Sequence, residues 1–189
     1  MKIICEGIEL SDAVMKVVKA CSTKTTNPIL ETIKISAEND GVTLLATDGE
    51  IAIEKKIKAE VLQEGAVCVP GKYFSDFIKK LENVQITLHC ESEQLDINYG
   101  DSESSIQTLP AEDFPAIDMK INETRFTLTA ADLKDLISKT TFCCAQDDSR
   151  PVLKGCLSEA KEGVVTFTAL DGYRMAIAKK NLVSMSGEV

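Results

Sequence analysis

The sequence has no tryptophan, and aromatic residues make up only 5% of its 189 positions. Aliphatic side chains must therefore supply most of any core, and an apolar fraction of 44% is sufficient for one. Proline and glycine are also scarce, with five and ten residues, and no segment is of low complexity. We therefore expect folded structure along almost the whole chain.

No apolar run approaches the roughly 20 residues that a membrane-spanning helix needs. The first residues, Met1 to Glu6, lack the continuous apolar region and the cleavage site of a secretory signal peptide. These two absences predict a cytoplasmic protein.

Residues suited to metal binding or nucleophilic catalysis are few. His89 is the only histidine, and none of the seven cysteines is spaced C-x-x-C with another. The neighbours Cys143 and Cys144 could not fill two corners of a tetrahedral zinc site without distortion. An odd number of cysteines in a chain of this size favours reduced thiols that pack as small apolar side chains. The sequence predicts no metal and no cofactor.

Motifs of common enzyme classes are missing as well. The chain has no G-x-x-x-x-G-K-[ST], G-x-G-x-x-G, H-E-x-x-H or G-x-S-x-G sequence. Asp48-Gly49 and Asp171-Gly172 recur at equivalent positions, which indicates turn residues and not a catalytic pair of carboxylates. We expect a protein without enzymatic activity.

Three stretches show the i, i+3, i+4, i+7 apolar spacing of amphipathic helices. The first follows Ser11, a plausible N-cap residue, and the second follows Pro70-Gly71. The third begins at Thr129, where Thr129-x-x-Asp132 resembles a capping box. The predicted buried positions are, in turn, Val14, Val17, Val18 and Cys21; Phe74, Phe77, Ile78 and Leu81; and Leu133, Leu136, Ile137 and Thr140.

Between the helices the apolar period changes to two, which is typical of strands. Ile33, Ile35 and Ala37 alternate up to the turn residues Asn39-Asp40-Gly41, and a second alternating run follows, which predicts a hairpin. Four further alternating runs predict strands: Ile51, Ile53 and Ile57; Val84, Ile86 and Leu88; Leu95, Ile97 and Tyr99; and Ser105 to Thr108. The order of elements predicts the α+β class, with an antiparallel sheet and two helices on one face.

The pattern then recurs. Pro28-Ile29-Leu30 leads to Asp48-Gly49, and Pro151-Val152-Leu153 leads to Asp171-Gly172 with the same spacing. Each copy has a glycine-containing turn midway and is preceded by a strand-like run and a helix. Several features in register over about 50 residues indicate an internal duplication.

The duplication predicts two domains, at residues 1–118 and 119–189. The second copy ends before any counterpart of the helix around Phe74 to Leu81, so we expect an incomplete second domain. A single irregular domain is the alternative, but it would leave an unpaired sheet edge near Ser184 to Val189.

Several segments resemble bacterial sliding clamps, the beta subunits of DNA polymerase III. These segments are Asn27-Pro28-Ile29-Leu30, Thr47-Asp48-Gly49, Thr108-Leu109-Pro110-Ala111-Glu112-Asp113-Phe114-Pro115, Arg150-Pro151-Val152-Leu153-Lys154-Gly155 and Leu170-Asp171-Gly172-Tyr173-Arg174-Met175-Ala176. In this family a subunit has three such domains, and two subunits close head-to-tail into a ring. Helices line the hole and sheets form the outside. The resemblance implies a DNA polymerase processivity factor that encircles double-stranded DNA.

A net charge of −9 argues against attraction to DNA from solution. The resemblance, however, implies an acidic exterior around a basic hole, in which topology holds the duplex and weak phosphate contacts without base readout permit sliding. Lys24, Lys72 and Arg150 match positions that contact DNA in the family. Other candidates lie on or beside the predicted helices: Lys16, Lys19, Lys79 and Lys134.

The family also has a hydrophobic pocket that captures short peptide motifs of the replicative polymerase alpha subunit, the clamp loader and repair proteins. The residues that match its near wall are Leu153, Leu170, Gly172, Tyr173, Arg174 and Met175. Leu170 replaces a threonine that is usual there. Because the family's third domain supplies the far wall, the resemblance implies weak peptide binding by this chain alone. Core packing at a strand end is the alternative interpretation of these residues.

Closure of the family's ring joins the first domain to the third domain of the partner subunit. The matching candidates here are Lys72, Phe74, Ile78, Leu81 and Ile106. A second hypothesis for the function is a truncated clamp fragment that acts only as a protein-interaction module and does not encircle DNA.

Overall fold

The computed structural model describes residues 1–23, 25–117, 125–147 and 149–187. The chain divides into two compact units, Met1–Asp118 and Met119–Val189, which we call unit 1 and unit 2. In the described part of the chain, no helix is long and apolar enough to cross a membrane.

Unit 1 contains two antiparallel sheets and two α-helices in its described residues. In chain order the elements are β1 (Lys2–Glu6), α1 (Gly7–Val17), β2 (Thr32–Glu38), β3 (Gly41–Thr47), β4 (Ala52–Ile57), β5 (Glu60–Gln63), β6 (Gly65–Pro70), α2 (Gly71–Ile78), β7 (Gln85–Cys90), β8 (Gln94–Tyr99) and β9 (Ser102–Gln107). One sheet has the strand order β5-β1-β7-β8-β9, and the other has the order β4-β3-β2-β6. Short 3-10 turns lie at Val18–Ala20, Pro28–Glu31 and Ala111–Asp113.

One core joins these elements. Alternate residues of the strands, such as Ile35, Leu44, Leu88 and Ile97, are completely buried together with the apolar faces of α1 and α2. Both sheets therefore contribute their apolar faces to a single cluster. The buried residues recur with the periods expected of strands and helices that each bury one face.

Unit 2 repeats the first part of unit 1. Its described elements are β10 (Arg125–Thr127), α3 (Ala130–Thr140), β11 (Leu157–Lys161), β12 (Val164–Leu170), β13 (Met175–Asn181) and β14 (Ser184–Ser186), with 3-10 turns at Thr141–Cys143 and Pro151–Lys154. β10 pairs with β14 as β1 pairs with β5, and β11-β12-β13 form a sheet as β2-β3-β4 do. The two copies keep a constant register from α1 against α3 to β4 against β13. The predicted duplication is confirmed.

The predicted start of the first helix is wrong. Ser11 does not cap the helix, because α1 begins at Gly7 and Ser11 lies inside it, 3% exposed, with its hydroxyl 3.3 Å from Glu82 Oε1. The Gly7 amide donates to the Val84 carbonyl at 2.9 Å. A free amide at the start of the helix thus has a backbone acceptor that is distant in sequence. A capping side chain would otherwise accept this hydrogen bond.

The third helix begins as predicted, because the Thr129 hydroxyl oxygen accepts from the Asp132 amide at 3.1 Å. Its predicted buried face is only half correct. Leu136 and Thr140 are buried, whereas Leu133 and Ile137 are 39% and 43% exposed. The matching residues of α1 are buried because α2 packs beside that helix. No second helix lies beside α3 in the described part of unit 2.

Candidate functional site

The two helices of unit 1 and the residues that directly follow them carry exposed lysines. α1 and α2 pack against each other and bury their apolar faces, so their polar faces point to solvent. The exposed set consists of Lys16, Lys19, Lys72, Lys79 and Lys80. Lys24, another candidate for DNA contact, lies outside the described residues.

Two of these lysines are paired with carboxylates on their own helix. Lys16 Nζ lies 2.7 Å from Asp12, and Lys79 Nζ lies 2.5 Å from Asp76. The hydrogen bond from each lysine lowers the pKa of its aspartate partner. In the described residues, no carboxylate forms such a pair with Lys19, Lys72 or Lys80. Those three amino groups therefore carry the least compensated positive charge of the helix pair.

The helix of unit 2 presents less uncompensated positive charge than the helix pair of unit 1. Lys134 is exposed and forms no ion pair within the described residues, but Lys139 lies 2.8 Å from Asp135. Lys180 of β13 lies 3.0 Å from both Asp132 and Asp135. These carboxylates hydrogen-bond the Lys180 amino group and raise its pKa. Lys134 is therefore the predicted DNA-contacting residue on α3, and it has no carboxylate partner among the described residues.

A surface cavity of about 310 Å³ lies within unit 2. Three residues predicted for the peptide pocket line it: Leu153, Gly172 and Tyr173. The other lining residues are Ala145, Asp147, Ser149, Arg150 and Asp171. Arg150 was predicted to contact DNA, and the structure places it at this cavity. No sequence pattern predicts the lining residues before Arg150, because they belong to an irregular segment without periodicity.

The Asp171-Gly172 turn forms part of the cavity lining. Asp171 Oδ1 accepts from the amides of Tyr173 and Arg174 at 2.9 and 3.0 Å, and these bonds lower the pKa of its carboxyl group. Gly172 has a φ of +92°, which a glycine adopts without strain. Asp48 makes the same two backbone contacts to Glu50 and Ile51 in unit 1.

Arg174 is held in one orientation. Its Nε donates to Asp171 Oδ2 at 2.9 Å, its Nη2 donates to the Phe142 carbonyl at 2.8 Å, and its guanidinium lies 5.6 Å from the Phe142 ring centre. Arg174 therefore ties the β12–β13 turn to the 3-10 turn that follows α3. It does not line the cavity itself.

Several apolar side chains at or next to the lining residues in sequence are open to solvent. Tyr173 is fully exposed, and Met175 is 60% exposed. Leu170 is half-buried and pairs directly with Met175 across β12 and β13. Val152, next to Leu153, is 87% exposed. Tyr173 and Met175 are therefore not part of a core, whereas Leu153 and Leu170 are half-buried.

The structure gives two of the predicted subunit-contact residues a different role. Phe74 and Ile78 are completely buried in the core of unit 1, so neither side chain is available to a partner subunit. Leu81 and Ile106 are half-buried against that core, and Lys72 is exposed. Tyr73, which the periodicity did not single out, is 72% exposed on α2.

Sequence comparison identifies both units. Residues 1–118 match the N-terminal domain of the DNA polymerase III beta subunit, and residues 127–188 match the central domain of the same subunit. The chain belongs to the DNA polymerase III beta subunit family. Within the described residues of this family member, no group of three or more His, Cys, Asp or Glu side chains could hold a metal ion.

Curated relatives of this chain are beta sliding clamps. The beta sliding clamp of Halalkalibacterium halodurans is 35% identical over 170 residues, covering 85% of this chain and 45% of that protein. The beta sliding clamp of Bacillus subtilis is 30% identical, covering 96% of this chain and 50% of that protein. The chain thus spans about half the length of the curated relatives it matches.

Solved structures agree with the fold. A DNA polymerase sliding clamp from Bacillus subtilis superimposes with a TM-score of 0.92 at 28% identity, over 100% of this chain and 52% of that one. A DnaN sliding clamp from Pseudomonas aeruginosa, bound to griselimycin, superimposes with a TM-score of 0.90 at 27% identity, over 98% of this chain and 52% of that one. The predicted clamp fold is confirmed.

Proposed function

We propose that this chain forms part of a sliding clamp, a non-catalytic processivity factor that encircles duplex DNA and tethers the replicative polymerase alpha subunit, the clamp loader and other partners. Membership of the beta subunit family supports this function, and relatives at 30% to 35% identity are named beta sliding clamps. Because ring opening needs an energy source, the proposal includes a separate ATP-dependent clamp loader.

The observation that carries the proposal is the placement of lysines on α1 and α2 and just after their C-terminal ends. The chain has a net charge of −9, yet α1, α2 and the residues that directly follow them expose five lysines, and three of these lack a carboxylate partner among the described residues. Flexible lysine side chains bind phosphates as point charges and read no base edge. A duplex held by such contacts can slide, because no position along it is preferred.

The DNA proposal is tested by charge reversal of the unpaired lysines. Fluorescence anisotropy with a 30-base-pair duplex at low salt measures the affinity of the 189-residue chain. We expect weak binding without sequence preference, and a loss of at least about tenfold in Lys19→Glu/Lys72→Glu/Lys80→Glu. The slope of log affinity against log salt should also fall by about 0.9 for each phosphate contact removed.

A matched variant separates local contacts from total charge. Lys58→Glu/Lys161→Glu/Lys179→Glu reverses three exposed lysines that lie neither on α1 or α2 nor on the turns that follow them. It makes the same change in net charge and should retain most of the affinity. Equal losses in both triple variants would mean that the helix pair is not the DNA-contacting surface.

We infer that the cavity of unit 2 binds peptide motifs of partner proteins. Leu153 and the exposed Tyr173 line the cavity, and the exposed Met175 follows the same turn. These residues support the inference, since adaptable apolar and aromatic side chains are typical of peptide-binding sites. Arg174 acts as a positioning residue, because it fixes the turn that carries Gly172 and Tyr173.

Griselimycin is a suitable probe, because a structural neighbour from Pseudomonas aeruginosa binds it. Calorimetry should show weaker binding to Leu153→Ala and Met175→Ala than to the unchanged chain. Leu62→Ala is the matched control, since Leu62 is 51% exposed in unit 1. An unchanged affinity in both pocket variants would contradict the assignment.

The interaction-module alternative is favoured by one observation, the position of the cavity wholly inside unit 2. Light scattering after gel filtration distinguishes the two functions for this chain. A monomer of 20.6 kDa that binds griselimycin but not duplex DNA would support the module. Closed dimers that retain circular DNA at high salt would support the clamp.

A further inference from the structure

Two cysteines of unit 2 lie on neighbouring stretches of the chain, near the end of α3. Cys144 follows the 3-10 turn Thr141–Cys143, and Cys156 precedes β11. The Ala145 amide donates to the Leu153 carbonyl at 2.9 Å, which holds the two stretches side by side. Cys156 Sγ lies 3.6 Å from the Thr140 hydroxyl at the end of α3. Both cysteines are half-buried and reduced.

The internal repeat gives independent support for this proximity. In unit 1, Cys21 and Ile33 occupy the positions of Cys144 and Cys156. A Cβ atom added to Gly71 would lie 2.7 Å from Cys21 Sγ and 3.4 Å from Ile33 Cγ1, so both side chains lie beside the same glycine. The Ser22 amide donates to the Leu30 carbonyl at 2.8 Å, as Ala145 does to Leu153. Unit 2 therefore has thiols at both of two neighbouring positions, where unit 1 has one.

We propose that Cys144 and Cys156 are a modification site, where a hydroperoxide converts the two thiols into an intramolecular disulfide. One thiolate attacks a peroxide oxygen, which gives a sulfenic acid and a hydroxide or alkoxide that takes up a proton. The second thiolate displaces the hydroxyl group from the sulfenic sulfur, and water leaves. For hydrogen peroxide, two thiols and one peroxide give one disulfide and two waters, with the peroxide as the two-electron acceptor.

The disulfide would act on the cavity of unit 2. Five residues that line this cavity lie between the two cysteines: Ala145, Asp147, Ser149, Arg150 and Leu153. Closing that segment covalently restricts its local opening. The inference concerns thiol chemistry and does not depend on the proposed clamp function.

The pH dependence of the reaction follows from the surroundings of Cys144. Desolvation, followed by the nearby Cys156 and Cys143 thiols, raises the pKa of Cys144. Because the thiolate is the reactive form, a raised pKa leaves less of it at neutral pH. Disulfide formation should therefore accelerate as the pH rises from 7 toward 9.

The test is a thiol count and peptide map of the full chain after mild treatment with hydrogen peroxide. Alkylation in denaturant should find two thiols fewer per monomer, and mass spectrometry should find one peptide pair joined through Cys144 and Cys156. Cys144→Ser and Cys156→Ser should each abolish this loss. Cys143→Ser and Cys21→Ser should leave it unchanged, and dithiothreitol should restore the count. Amide exchange at Ala145 should slow about tenfold in the oxidised protein.

Three results would overturn the proposal. They are a native protein that loses no thiol pair, a cross-link between Cys143 and Cys144 in place of the expected one, and cross-linked dimers on a non-reducing gel. The peptide map of the unchanged chain decides among these results even if a serine variant folds poorly.

Discussion

At the scale of single residues, Gly7 and Gly49 are required for different physical reasons. A Cβ atom on Gly7 would lie 1.9 Å from the Leu81 carbonyl oxygen, which is backbone and cannot rotate away. Gly49 has no described neighbour within 4 Å of such an atom, but its φ is +96°. We expect Gly7→Ala to cost about 3 kcal/mol or more through steric displacement. Gly49→Ala should cost about 1 kcal/mol through backbone strain alone.

Urea unfolding followed by far-UV circular dichroism measures both variants, since the chain has no tryptophan. Similar losses in the two variants would show that the start of α1 can shift away from Leu81 at little cost.

The turn aspartates predict a pH effect at the same scale. Backbone hydrogen bonds from Tyr173 and Arg174, and then the Arg174 side chain, lower the folded-state pKa of Asp171 below its ordinary value of 3.8. A lowered pKa adds stability that is fully present above the unfolded-state value and is lost as the pH falls through the folded-state value. Asp171→Asn should therefore lower the stability of unit 2 at neutral pH and reduce its acid sensitivity.

Amide exchange of unit 2 between about pH 6 and pH 3 tests this effect. Asp48→Asn is the internal control, since it alters the matching turn of unit 1. A change of acid sensitivity in unit 2 for both variants would contradict the local origin of the effect.

At the scale of secondary-structure elements, α3 contains one buried leucine and one exposed leucine. Leu136 is completely buried among Val165, Phe167 and Ala160, whereas Leu133 is 39% exposed. Leu136→Ala should destabilise unit 2 by about 2 to 4 kcal/mol, because it leaves a cavity. Leu133→Ala should cost no more than about 1 kcal/mol, because solvent already reaches that side chain.

Chemical denaturation of the full chain gives both values. Equal losses would mean that Leu133 is covered in solution by a contact that the described residues do not contain.

At the scale of the whole molecule, the two units differ in the size of their cores. The buried cluster of unit 1 spans two sheets and two helices, whereas the buried cluster of unit 2 consists of Leu136, Ala160, Val165 and Phe167. Since stability grows with buried apolar area, unit 2 should open more often than unit 1. Amide exchange should be faster for β11–β13 than for β2–β4, although the strands match. Equal protection of the matched strands would contradict this expectation.

Much of the local structure could be predicted from the sequence. The Thr129 cap and the Asp48 and Asp171 turns depend on bonds between residues two or three apart, so their residue types specify them. The repeat can be detected in the sequence because the spacing between its matching residues is the same in both copies, without insertions. Strands β5 and β6 were missed, because Glu60–Gln63 and Gly65–Pro70 are too short or too continuously apolar to show a clear period.

The sequence by itself determined the α+β class, the duplicated order of elements and the lysines on or beside α1 and α2. Periodicity and turn chemistry act between near neighbours and are therefore visible in one dimension. Only the tertiary structure decided that α1 starts at Gly7, that Phe74 and Ile78 belong to the core, and that Arg150 lies at the cavity of unit 2. Each of these depends on which distant segment packs against the residue, because burial is a property of the assembled elements and not of local spacing.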